Sequence, residues 1–143
     1  MSLVKGVNKT LIDAGTILAP GLFDGRVKVI VDTYEASTLA NPSTITMGGR
    51  FTKGAVVLFG ILIYDSLGGS TTLDVGDAEN TTRYISAKNT SSAGVGINDE
   101  VDGIAYTTDE TDSSNLDTQI LITAGGSGTL SGTIRLVVLF TND

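Results

Sequence analysis

The sequence predicts an all-β fold: an antiparallel β-sandwich, jelly-roll-like, of about eight strands, with an extended N-terminal arm. Three observations predict it. Where the apolar residues show a period it is two, as in Val27-Lys28-Val29-Ile30-Val31-Asp32, the spacing of a strand with one buried face. Short β-branched runs are punctuated at close intervals by turn formers, with 18 glycines in 143 residues, a rhythm that suits sandwiches and barrels. No segment keeps the 3.6-residue apolar period of an amphipathic helix.

Residues 1–25 read as the arm and 26–143 as a single sandwich domain. Gly6, Gly15, Gly21, Gly25 and Pro20 break every apolar cluster of the arm. It nonetheless carries Leu3, Val4, Val7, Leu11, Ile12, Ile17, Leu18, Leu22 and Phe23. A tail left in water does not hold so many large apolar side chains. These nine are therefore the expected contact residues, lying against the chain's own sandwich or a neighbouring subunit.

The first strand runs from Val27 to Glu35, and ASTLA at 36–40 allows one helical turn. Asn41-Pro42 marks a turn, and Thr44–Met47 a short strand ended by Gly48-Gly49. The run Ala55–Tyr64, AVVLFGILIY, is apolar on both faces and reads as a central strand. Gly60 within it suggests a bulge or bend. Asp65–Ser70 turns into a strand at Thr72–Val75, closed by Gly76-Asp77. A polar loop, Asp77–Thr82, leads to a strand at Arg83–Ser86. Ile104–Thr107 is a further strand, and Thr107–Asn115 a loop by composition. Thr118–Thr123 and Thr129–Thr141 form a closing hairpin across a Gly-rich connector. Following the alternation, the expected core is Val29, Val31, Val57, Phe59, Ile61, Ile63, Leu73, Tyr84, Ile120, Ile122, Leu136 and Val138.

The chain has no Cys, His or Trp. A disulfide framework, a Cys/His zinc site and any triad with an imidazole are thereby excluded. The net charge is −7 and no two of the nine basic residues are adjacent. Neutralising a phosphate backbone takes clustered Lys and Arg, so no nucleic acid is expected as a partner. No apolar stretch approaches 18 residues and no signal sequence opens the chain, so no membrane partner is expected.

Acidic residues cluster late: Asp99, Glu100, Asp102, Asp109, Glu110, Asp112 and Asp117 face no basic residue between Lys88 and Arg135. Solvated loops explain this, with a cation or a basic partner for residues 98–112 the open alternative. Asn98, Glu100, Asp102, Gly103 and Asp109 approach the spacing of a calcium loop. They lack its first Asp, its closing Glu and its flanking helices. Gly48-Gly49-Arg50 and Gly68-Gly69-Ser70-Thr71 lack the Walker spacing and read as turns. Arg83 beside Asp77 and Glu79 reads as an ion pair that fixes a loop. No catalytic, metal or cofactor-binding residue emerges, and the chain is not expected to be an enzyme.

Four stretches carry a resemblance: Lys53-Gly54-Ala55-Val56-Val57 with the apolar strand behind it, Gly69–Asp77, Arg83–Ser86 and Gly132–Val138. Together they resemble the decoration, or cement, proteins of tailed-bacteriophage capsids, small structural proteins encoded among the head genes. The resemblance implies a β-sandwich or jelly-roll module, a homotrimer seated on the outer capsid surface. Its implied partners are the major capsid protein and its own copies; it implies no cofactor. Such a protein is made in the host cytoplasm and located on the virion exterior, where it stabilises the shell. The alternatives are another virion module at the neck, tail or fibre base, and a carbohydrate- or receptor-binding β-sandwich. The absence of Trp for sugar stacking counts against the last.

Overall fold

Runs of β-branched residues between turn formers become strands throughout the computed structural model, which describes residues 13–15, 26–108 and 118–141. The strands are β1 (Val27–Leu39), β2 (Ser43–Arg50), β3 (Val56–Tyr64), β4 (Thr71–Gly76), β5 (Ile85–Asn89), β6 (Gly94–Ile97), β7 (Tyr106–Thr107), β8 (Gln119–Gly126) and β9 (Leu130–Thr141). One sheet has the order β1-β9-β3-β6, with β7 also paired to β3; the other has the order β2-β8-β4-β5. Every pairing is antiparallel. This is the two-sheet layout of a jelly roll. The nine arm residues from Leu3 to Phe23 lie outside the described residues, as do Asp109, Glu110, Asp112 and Asp117.

The strands number nine among the described residues, one more than the eight read from the sequence and in keeping with the sandwich expected. The addition is β6, where Val95 and Ile97 stand as scattered apolar residues among turn-forming glycines in the sequence. They form a strand because β3 offers an edge, pairing Ile61 with Ile97 and Ile63 with Val95. The expected helical turn at 36–40 is instead the end of β1. There the register shifts between Ala36 and Leu39, with Thr38 at positive φ. Strand β2 likewise runs through Gly48-Gly49 to Arg50. The Gly48 N–H donates to the Asp32 carboxylate at 2.6 Å, which ties β2 in one sheet to β1 in the other.

The core lies between the sheets. From the first come Leu62, Tyr64, Ile134, Leu136, Val138 and Phe140, and from the second Ile45, Met47, Leu73, Val75, Ile120 and Ile122. Val57, Tyr84 and Ile85 join it, each at most 2% exposed. Of the expected core residues, Val57, Leu73, Tyr84, Ile120, Ile122, Leu136 and Val138 are buried. Val29, Val31, Phe59, Ile61 and Ile63 are not core residues: they stand on the opposite face of their sheet. In β3 the cause is a register shift between Val57 and Phe59. An extra residue there changes the parity of the strand, so that Gly60, Leu62 and Tyr64 turn inward in place of Phe59, Ile61 and Ile63. In β1 the inward set is Ile30, Tyr34 and Ala36, and the three valines face away.

The turn between β8 and β9 depends on a glycine. Gly126 has φ of 96°, and a Cβ there would run into the carbonyl oxygen of Ser70. Gly126→Ala should therefore lower stability by about 1–3 kcal/mol, from left-handed strain plus displacement of the β4 approach. Urea denaturation measures it, and a variant as stable as the parent would contradict this turn geometry.

Candidate interaction surface

The outward residues of the β1-β9-β3-β6 sheet line up in cross-strand rows. Val29 lies opposite Leu139, and Leu139 opposite Phe59. The next row runs Val31, Val137, Ile61 and Ile97 across all four strands. The third runs Thr33, Arg135, Ile63 and Val95. Side chains within such a row touch, because paired strands sit about 4.8 Å apart. Val27, Val29, Val31, Ile63, Val95 and Ile97 are 40–62% exposed, and Phe59, Ile61, Val137 and Leu139 between them are half-buried. The result is one contiguous apolar patch, four strands wide at its middle row and bordered in the third row by Thr33 and Arg135.

The other sheet's outward face has a different character. Thr44 and Thr46 of β2, Thr123 and a single apolar residue, Leu121, of β8, Thr72 and Asp74 of β4, and Ser86 and Asn89 of β5 occupy its outward positions. One side of the sandwich is thus dressed for water and the other is not. Scattered surface apolar residues need no explanation, but a continuous patch marks an interaction site.

Polar groups hold the rim of the apolar face. Thr133 Oγ1 donates to Glu35 Oε1 at 2.6 Å, and the Thr133 N–H to Asp65 Oδ2 at 3.1 Å. Ile63, Tyr64, Asp65, Thr133 and Arg135 line a shallow depression at this end.

A buried ion cluster stabilises the loop behind β4. Asp77 is 1% exposed and accepts Arg83 Nε at 2.5 Å and the N–H groups of Glu79 and Asn80 at 3.0 and 2.7 Å. Arg83 Nη2 also donates to Glu79 Oε2 at 2.7 Å. Its guanidinium carbon sits 4.0 Å from the centroid of the Tyr106 ring, a cation–π contact. Burial alone would lower the Arg83 pKa, but the hydrogen bond and charge of Asp77 outweigh it and raise it. The guanidinium therefore stays charged. This is the ion pair expected from the sequence, with an aromatic lid added.

The acidic stretch divides. Asn98 is buried and its Nδ2 donates to the Gly103 carbonyl, while the Gly103 N–H donates to that of Glu100. Asn98 and Gly103 thus shape a tight turn. Asp99 pairs with Lys88 at 3.2 Å. Among the described residues no three acidic groups gather around a metal-sized space. Of the near-calcium-loop residues, Asp109 lies outside the described set.

The apolar face is the feature that sequence reasoning assigned wrongly. A usable signal was present: AVVLFGILIY is apolar on both sides, and a sandwich has no helix layer to cover a strand's outer side.

No protein-family model matches the chain, and no curated protein matches it. Solved structures do. A chain of the cyanophage Pam1 capsid asymmetric unit superposes with a TM-score of 0.67 at 26% identity, covering 89% of this chain and 93% of that one. A chain of the capsid of Ralstonia phage GP4 superposes with a TM-score of 0.62 at 18% identity, covering 83% of this chain and 86% of that one, a likeness of fold.

Proposed function

We propose that this protein is a non-enzymatic structural protein of a phage virion that seats on the outer capsid surface and stabilises it. The observation that carries the reading is the likeness to a chain of a phage capsid asymmetric unit over nearly the whole length of both chains. The asymmetric dress of the sandwich supports it. An outward apolar face is a liability for a free protein and an asset for one that spends its life packed among neighbours. The partners in this reading are the major capsid protein and further copies of the chain, arranged as a homotrimer. The arm residues Leu3, Val4, Val7, Leu11, Ile12, Ile17, Leu18, Leu22 and Phe23 make contacts between subunits.

Purified protein added to particles that lack it should co-sediment with them in numbers comparable to the major capsid protein, and should raise the temperature at which the shells break. A handful of copies per particle would overturn the capsid-surface reading in favour of a neck, tail or fibre-base module. Deleting residues 1–23 should leave a folded sandwich that binds particles poorly. If the truncated chain instead unfolds, the arm belongs to its own core and is not a contact between subunits.

A further inference from the structure

We infer that the apolar outer face of the β1-β9-β3-β6 sheet is the seat for residues 3–23 of a second copy of this chain. The inference rests on the reading of the arm as a contact between subunits, and it says where that contact is made. The face is open in the single chain, with six of its side chains 40–62% exposed. The nine apolar residues of its three rows span on the order of 300 Å². That is less than half of the ~800 Å² per partner of a standard stable interface. Two sandwiches pressed face to face on this patch alone therefore fall short. An extended segment laid across it, with large apolar side chains, covers it fully and brings further area of its own.

Residues 3–23 have the matching chemistry. Their nine large apolar residues recur at short spacing, and residues 1–25 hold two Lys (Lys5, Lys9) and two Asp (Asp13, Asp24). Residues 3–23 themselves, with Lys5, Lys9 and Asp13, carry a net charge of +1 while the whole chain carries −7. Its docking therefore adds no repulsion to that between two acidic bodies.

The point of attachment favours a second copy over the same chain. The arm joins at Val27, the first residue of β1, which is an edge strand of this face. The rows of the face lie beyond Val27 in the direction of Thr33. A chain continuing backwards from Val27 along the strand axis leaves the face behind. To cover its own face it must reverse at once; to reach a neighbour it need only continue. Residues 13–15 turn, with Gly15 at φ 81°; the other eighteen residues of the segment reach at most about 60 Å, longer than the roughly 43 Å of the 13-residue β1 strand. Each copy can give one arm and receive one.

The absence of Cys makes the test clean. Full-length proteins carrying Ile12→Cys, Leu18→Cys or Leu22→Cys are each mixed, without capsids, with full-length Val31→Cys or Val95→Cys and oxidised. The expected result is disulfide-linked dimers of one arm variant with one face variant. Control mixtures with Thr44→Cys on the polar sheet should lack that band. In double variants carrying both cysteines, links confined to one chain would overturn the inference in favour of a self-covered face. No arm-to-face link in any pairing would overturn it altogether, and face-to-face homodimers alone would replace it with a sheet-on-sheet contact. A second readout is Val31→Glu with Ile97→Glu, both exposed positions, which should abolish self-association while leaving the β spectrum unchanged. Because no capsid is present, failure of particle binding and failure of arm exchange are separate outcomes.

Discussion

Replacing Asp77 by Ala should destabilise the protein by about 3 kcal/mol, the low end of the cost of breaking a buried ion pair, because Arg83 keeps its contact with the exposed Glu79 carboxylate. The carboxylate is 1% exposed and accepts from Arg83 and from two backbone N–H groups. Arg83 is itself 8% exposed, so water does not replace the lost partner freely. The loop from Asp77 to Thr82 also loses the acceptor that organises its turn. Asp77→Asn keeps the shape and part of the hydrogen bonding and should fall between parent and Ala variant. Adding Arg83→Met to Asp77→Ala should recover part of the loss, because the stranded guanidinium is then gone. Urea denaturation with the slope held as a free parameter measures all three. A loss below about 1 kcal/mol for Asp77→Ala would mean that water reaches the pair.

The second large effect is a contrast between near neighbours in β3. Leu62 is fully buried between the sheets, and Leu62→Ala should cost about 2–5 kcal/mol. Phe59 is a larger side chain three residues earlier, and simple alternation makes it a core residue. It lies half-buried on the outward face beside Leu139. Phe59→Ala should cost the isolated chain about 1 kcal/mol or less and should instead weaken self-association or particle binding. If both substitutions cost the same in the isolated chain, the register shift between Val57 and Phe59 is misplaced.

Some of the functional surface was legible in the residues and some was not. The Asp77–Glu79–Arg83 cluster could be read directly, because its members lie within seven positions and local spacing brings them together. Tyr106, which closes over Arg83, could not, since only the fold brings β7 to that loop. Val29, Val31, Phe59, Ile61 and Ile63 are plainly apolar in the sequence, yet simple alternation places them on the inner side of their strands, where the structure does not.

The sequence by itself determined the class and the punctuation of this protein. Period-two patterning, β-branched runs and glycine turns dictate strands and their boundaries through local sterics, and the missing Cys and His exclude whole chemistries. Only the tertiary structure decided which side of each strand is inside. Alternation states that a strand has two faces, but when both are apolar it carries no sign. The sign comes from the sheet that packs opposite and from a single extra residue between Val57 and Phe59, which reverses every side chain after it. Partner availability decided β6 in the same way: Gly94–Ile97 has little strand preference of its own and is extended because β3 had an unpaired edge to offer.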